Sequence, residues 1–176
     1  MSTPLAAIDW PADIHAALSA AEVRQVAYVP DAGHSRLIAL SGADPRMRMV
    51  PLTSEEEGVG LAAGAWLGGE RSVLLMQSSG VGNCINALAL IESCRFPFLT
   101  LITMRGEFGE FNPWQVPMGR AAGPSLELAN VLVHRVSGAG EAGATVAGAA
   151  RLAFASYRGV AVLLSQRLIG AKSFRQ

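Results

Sequence analysis

The chain has 176 residues, of which 51% are hydrophobic and 16% charged, with a formal net charge of zero. That balance excludes a disordered polymer, which is poorer in apolar residues, and it disfavours nucleic acid, whose binders carry a basic face or stripe. No apolar stretch reaches the roughly 20 residues of a membrane-spanning helix, and MSTPLAAIDWPADIHAAL lacks the charged and apolar regions of a signal peptide. A cytoplasmic protein of one domain, spanning 1–176, is the expectation, with Cys84 and Cys94 both reduced.

In chain order, DIHAALSAAEV predicts a helix and QVAYVP a buried strand. HSRLIALSG predicts a short helix, RMRMVPL a strand and SEEEGVGLAAGAWLGG a helix. SVLLMQ is then a strand, GNCINALALIESC a helix and FPFLTLITM a strong strand. RGEFGEFNPWQVPMGRAAGPS, with its three prolines, predicts a long loop. SLELANVL is helical, VHRVS strand-like, EAGATVAGAARLAFAS helical and GVAVLLS the last strand. Apolar strand runs alternating with helical periodicity predict an α/β fold, a doubly wound and mostly parallel sheet with helices on both faces. Ligands of such sheets bind at the carboxyl edge, where the long loop would lie.

Two glycine-rich stretches compete for attention. GVGLAAG superficially fits a dinucleotide fingerprint, but Glu55, Glu56 and Glu57 stand where a diphosphate would arrive. Gly58, Gly60 and Gly64 therefore read as close-packing positions. QSSGVGNCIN has the better context, a strand, a Ser-Ser-Gly-Val-Gly turn and a helix. Such a turn can present amides and hydroxyls to a ligand, or Ser78 or Ser79 can simply cap the helix. Among the three acids, Thr53 with Glu56 and Ser54 with Glu57 have capping-box spacing. Glu55 instead shares a helix face with Val59, Ala62 and Trp66, so an inward face would leave it partly buried at the ligand edge, a functional candidate. His15 and His134 have no metal-ligand spacing, and no metal site is expected in this chain.

The stretch Ser54–Trp66 resembles the pyrimidine-binding (PYR) domain of thiamine diphosphate enzymes. There an acid is followed by small residues, Ala-x-Gly and an aromatic, positions filled by Glu55, Ala62, Gly64 and, one place late, Trp66. Ser79-Gly80-Val81-Gly82 matches the SGPG-like turn after that family's next strand. The similarity is strongest, over nearly the whole chain, to the branch that decarboxylates sulfopyruvate and phosphonopyruvate, which shares EG...LAAG and SG-G-N. It implies a thiamine diphosphate-binding fold of PYR type and a carboxy-lyase converting a 2-oxo acid, sulfopyruvate first, into an aldehyde and CO₂. Phosphonopyruvate or carboligase chemistry, or a PYR-like binding module without chemistry, are the alternatives.

The resemblance places Glu55 at N1′ of the aminopyrimidine, sharing a proton with it, and Ser79, Gly80 and Val81 against the cofactor. Asp31, His34, Gln115 and Arg105 are candidates for contact with substrate. Arg105 or Arg120 is suited to a bidentate grip on a sulfonate or phosphonate. The family holds Mg²⁺ and the diphosphate on a PP domain marked by Gly-Asp-Gly and a downstream Asn. No Gly-Asp-Gly occurs here, so a separate PP-type (beta) subunit is the expected partner, with thiamine diphosphate between subunits of a hetero-oligomer.

Overall fold

The computed structural model describes residues 8–170. Six strands form one sheet: β1 (Val23–Tyr28), β2 (Arg48–Pro51), β3 (Arg71–Gln77), β4 (Phe98–Thr103), β5 (Leu132–Val136) and β6 (Gly159–Leu164). Their order is β2-β1-β3-β4-β6-β5 and every pairing is parallel. The sequence explains which strands lie centrally. β4 and β6, FLTLIT and GVAVLL, are buried at every position, as expected of strands covered on both faces. β2 at one edge is short and largely exposed.

Eight helices are present among the described residues: α1 (Trp10–Ala20), α2 (Ser35–Ala43), α3 (Glu56–Leu67), α4 (Gly80–Cys84), α5 (Ala89–Cys94), α6 (Val116–Leu128), α7 (Ala142–Ser156) and α8 (Gln166–Ile169). Ile14 and Leu18 of α1, Leu37 of α2 and Val146 and Ala150 of α7 pack with Val26, Leu75 and Leu101 on one face. Val59 and Ala62 of α3, Val81 of α4, Ile91 of α5 and Leu126 of α6 pack with Leu74, Met76 and Ile102 on the other. Alternate residues of one strand thus feed opposite cores. None of these helices is long and apolar enough to cross a membrane.

Three departures from the expected elements matter for the site. GNCINALALIESC is two short helices, α4 and α5, joined by a turn around Asn86 and Ala87. The expected loop of three prolines is irregular only to Asn112; a 3₁₀ turn at Pro113–Gln115 leads straight into α6. Pro117 sits in the first turn, where a missing N–H costs nothing. Pro124 lies inside α6 on its exposed side, and the carbonyl that its ring deprives of a partner belongs to Arg120, itself an exposed residue. Gly119 and Gly123 are buried, and a Cβ on Gly119 would lie 1.9 Å from the Arg105 carbonyl oxygen. Small residues let α6 lie against the chain leaving β4, which propensity alone does not reveal. The third departure is α8, a single turn capped by Ser165, which accepts from the Arg167 amide.

Candidate functional site

The carboxyl ends of β1, β3, β4 and β6 face one edge of the sheet, and the turn between β2 and α3 joins them there. Glu55 ends that turn with helical dihedrals (φ −67°, ψ −30°). Its face is the inward one: Val59 and Ala62 are in the core, and Glu55 itself is only 7% exposed. Glu56 and Glu57 are exposed. Neither capping box forms as spaced. Ser54 Oγ donates to Glu56 (2.7 Å), and Glu57 accepts from the Thr53 amide (3.0 Å). With Ser54 engaged by Glu56, Glu57 reaches one residue further back.

The Glu55 carboxyl group lies against the first residue of α4. A Cβ on Gly80 would stand 2.6 Å from its Cγ, Cδ and Oε1, so glycine alone leaves the carboxyl where it lies. Three residues on, Asn83 Nδ2 donates to Glu55 Oε2 at 2.7 Å. Cys84 lies behind. Burial, with the Glu55 and Glu56 charges second, pushes its thiol up to about 12, so it stays a neutral core group. Val81 is fully buried in the core, and its amide donates to the Ser78 carbonyl (3.3 Å). Ser79 precedes α4 without capping it; its hydroxyl accepts from Gln77 Nε2 (2.9 Å).

Further along the edge a cavity of about 230 Å³ opens between Asp31, Gly33, Thr103, Arg105 and Gln166. Asp31 accepts from the Thr103 hydroxyl (2.6 Å) and the Gly33 amide (3.1 Å). Arg105 does not offer the anion grip expected of it. Its Nε and Nη2 donate to the two oxygens of Glu110 (2.7 and 2.6 Å), and Nη1 donates to Gln77 Oε1 (2.9 Å). The side chains are 12% and 4% exposed. Within this shelter the Arg105 guanidinium, outweighing burial, pulls the Glu110 carboxyl down to about 2. Gln166 donates to Glu110 (3.0 Å) and accepts from the Glu107 and Phe108 amides (both 2.9 Å). Arg105 is thus the clasp of the 105–112 loop, its charge already matched.

Two further expectations change. His34 does not face the cavity: it is fully buried, and Nε2 lies 3.2 and 3.1 Å from the Met76 and Leu101 carbonyls. Bonding to two acceptors makes Nε2 the protonated nitrogen, and burial lowers the ring's pKa, keeping it neutral. It ties the β1 loop to β3 and β4. Gln115 is 3% exposed, with Oε1 buried and without a hydrogen-bond partner among the described residues, and it leads into α6 instead of sitting in open loop. Arg120 is exposed on α6. Gly58 packs as expected, its Cβ position 2.5 Å from Leu74, but Gly60 and Gly64 have open space around theirs.

Gln77, Thr103, Glu110 and Gln166 were not singled out from sequence, and Asn83 figured only as the last residue of SG-G-N, with no role. Asn83 and Gln77 lie in the quoted QSSGVGNCIN turn, yet nothing local shows that one meets Glu55 and the other Arg105. Among the described residues no group of three or more His, Cys, Asp or Glu is placed to hold a metal ion. A larger cavity, about 720 Å³, opens at the opposite, amino edge beside Arg95, Asn130, Tyr157 and Arg158. Arg95, Asn130 and Tyr157 have left-handed dihedrals at the ends of α5, α6 and α7. Three helices end there, and the cavity is lined by Glu92 as well as by the two arginines.

No protein-family model matches the chain. It is 34% identical over 158 residues to the sulfopyruvate decarboxylase subunit alpha of Methanothermobacter thermautotrophicus, covering 89% of this chain and 96% of that one. It is 37% identical over 123 residues to that of Methanocaldococcus jannaschii, covering 69% and 73%. A phosphonopyruvate decarboxylase of Streptomyces viridochromogenes is 38% identical over 122 residues, covering 68% of this chain but only 31% of that protein. Among solved structures, a 2-oxoglutarate:ferredoxin oxidoreductase from Magnetococcus marinus superposes with a TM-score of 0.72 at 13% identity, over 91% of this chain and 29% of the other. That last likeness concerns the fold alone. Identity of this order along almost the full length of an alpha subunit decides the lineage: the chain belongs to the family of sulfopyruvate decarboxylase alpha subunits.

Proposed function

We propose that this chain is the pyrimidine-side subunit of a thiamine diphosphate-dependent decarboxylase that converts sulfopyruvate to sulfoacetaldehyde and CO₂. A second subunit of PP type completes the site and holds Mg²⁺ and the diphosphate. The observation that carries this reading is the buried Glu55 carboxyl group, set at the carboxyl edge against a glycine where any side chain would push it out of place. The cradle suits an acid facing a flat ring nitrogen: the carboxyl is fixed on one side by Gly80 and Asn83, and the helices that carry it and them, through Val59 and Val81, share one apolar core.

When bound, thiamine diphosphate supplies the electron sink that makes loss of CO₂ from a 2-oxo acid possible. This chain's residues do the rest of what is asked of them here. Glu55 holds or gives a proton at the pyrimidine N1′, and burial in a water-poor setting strengthens that interaction. Ser79 and Gly80 would line the cofactor's ring beside Glu55, Gly80 leaving the carboxyl unobstructed. Asp31 and Thr103 line the neighbouring cavity and orient the substrate. Arg105, Glu110 and Gln166 hold the 105–112 loop as its wall.

The test is decarboxylation by the chain co-purified with its PP-type partner, supplied with thiamine diphosphate and Mg²⁺. General acid–base groups contribute about 10²–10⁴-fold, so Glu55→Gln lowers kcat by that order while the complex stays assembled. Turnover unchanged by Glu55→Gln would overturn the reading. Phosphonopyruvate is the second substrate to assay, because the Streptomyces viridochromogenes phosphonopyruvate decarboxylase is 38% identical over 68% of this chain; preference for it would move the assignment within the same chemistry.

A further inference from the structure

We infer that Asn83 is a positioning residue for Glu55, one that decides which carboxyl oxygen exchanges a proton. The inference rests on the reading of Glu55 given above and gives a role to Asn83, the last residue of the shared SG-G-N, to which the resemblance assigns none. Asn83 stands 28 positions from Glu55 in sequence, on a helix that follows a different strand, yet its Nδ2 lies 2.7 Å from Glu55 Oε2. That is the one hydrogen bond of the Asn83 side chain among the described residues, although the residue is exposed and has water available. Gly80 and Asn83 are three apart on α4 and so share a face. The first presses on the carboxyl at Cγ, Cδ and Oε1, the second holds Oε2. Together they fix both the place and the rotation of the carboxyl plane.

The residue type suits that task. An amide NH₂ is neutral and donates at every pH, so it orders the carboxyl without the strong ion pair that Lys or Arg would impose. An Asp there would compete for the same proton. With Oε2 engaged by a permanent donor, the proton is directed to Oε1, which has no hydrogen-bond donor among the described residues. Asn83 touches Glu55 and acts through it.

The experiment uses the complex of this chain with its PP-type partner, loaded with thiamine diphosphate and Mg²⁺. Exchange of the cofactor's thiazolium C2 proton for deuterium is followed without substrate, beside kcat, KM and cofactor Kd. Displacing a reacting group by about 1 Å costs on the order of a hundredfold. Asn83→Ala and Asn83→Asp are therefore expected to slow exchange and kcat together by about ten- to a hundredfold, while cofactor Kd and KM stay within about twofold, the pattern of a lost proton-transfer geometry. Asn83→Gln, which keeps the donor, recovers most of the rate. Wild-type exchange in Asn83→Ala, or Asn83→Gln no better than Asn83→Ala, overturns the inference. Glu55→Gln separates the two levels. Slow exchange there with normal exchange in Asn83→Ala removes Asn83 alone; normal exchange in Glu55→Gln, or a complex that binds no thiamine diphosphate, removes both.

Discussion

Replacing Gly80 by Ala adds one methyl group where α4 meets the Glu55 carboxyl group. The new Cβ would stand 2.6 Å from Cγ, Cδ and Oε1 of Glu55, against an ordinary heavy-atom contact of about 3.5 Å or more. The carboxyl must therefore retreat by roughly 1 Å, a shift that costs about a hundredfold in a proton-transfer geometry. Stability responds differently. Overpacking costs about 1–3 kcal/mol, while Ala is the better helix former by at most about 1 kcal/mol. Gly80 lies outside the positive-φ set, so no backbone strain is added. The expected variant is folded, within about 2 kcal/mol of wild type, and nearly inactive. Urea unfolding of the chain and steady-state decarboxylation by the complex measure the two quantities. A folded Gly80→Ala complex with kcat within about threefold of wild type would refute the argument that the glycine exists to seat the carboxyl.

Other substitutions probe the frame around the site. Glu110→Gln leaves Arg105 sheltered without a counter-charge and destabilises the chain by about 3 kcal/mol, read as a lower urea midpoint. In wild type the Glu110 pKa is depressed to about 2, so its contribution is complete above the ordinary carboxylate range. It is lost as pH falls from about 4.5 toward 2; in urea midpoints measured against pH, Glu110→Gln should remove part of that acid-side slope, and an unchanged slope would contradict the clasp. Gly119→Ala puts a Cβ 1.9 Å from the Arg105 carbonyl oxygen. Backbone cannot rotate aside, so α6 must lift, at about 3 kcal/mol or more, and a midpoint shift below about 0.5 M urea would contradict the packing. Gly60→Ala and Gly64→Ala meet nothing within 4 Å. Each is expected to stabilise the isolated chain by about 0.4–1 kcal/mol through helix propensity and a less flexible unfolded state, and a loss of stability would show that the helix face is packed in a way the chain alone does not explain.

The resemblance and the residue pattern pointed to Glu55 for different reasons, and the structure shows what the pattern could read. Val59, Ala62 and Trp66 recur at helical spacing with Glu55, so an inward face would bury the acid; the structure turns that face inward and leaves Glu55 7% exposed. Glu56 and Glu57 were legible as solvent-facing acids of a first turn, though not in their pairings. Alternating apolar runs and helices likewise revealed the parallel sheet, because strands such as FLTLIT, buried on both faces, need no polar alternation. Proline misled in the opposite direction. Pro113, Pro117 and Pro124 looked like a loop, yet two occupy starting turns and the third an exposed face, where each ring is tolerated.

What the sequence by itself determined was local: the periods of strand and helix, the face each presents, and the loop ends that gather at the carboxyl edge. The tertiary structure alone decided the partners. Asp31 meets Thr103 across 72 positions, Arg105 meets Gln77 across 28, and Asn83 meets Glu55 across another 28. It turned His34 into the sheet, gave Arg105 to Glu110, and left Gly80 bare beneath the carboxyl. Periodicity is a property of neighbouring backbone dihedrals, whereas a hydrogen bond of 2.7 Å depends on the relative placement of two loops that only the packed sheet brings together.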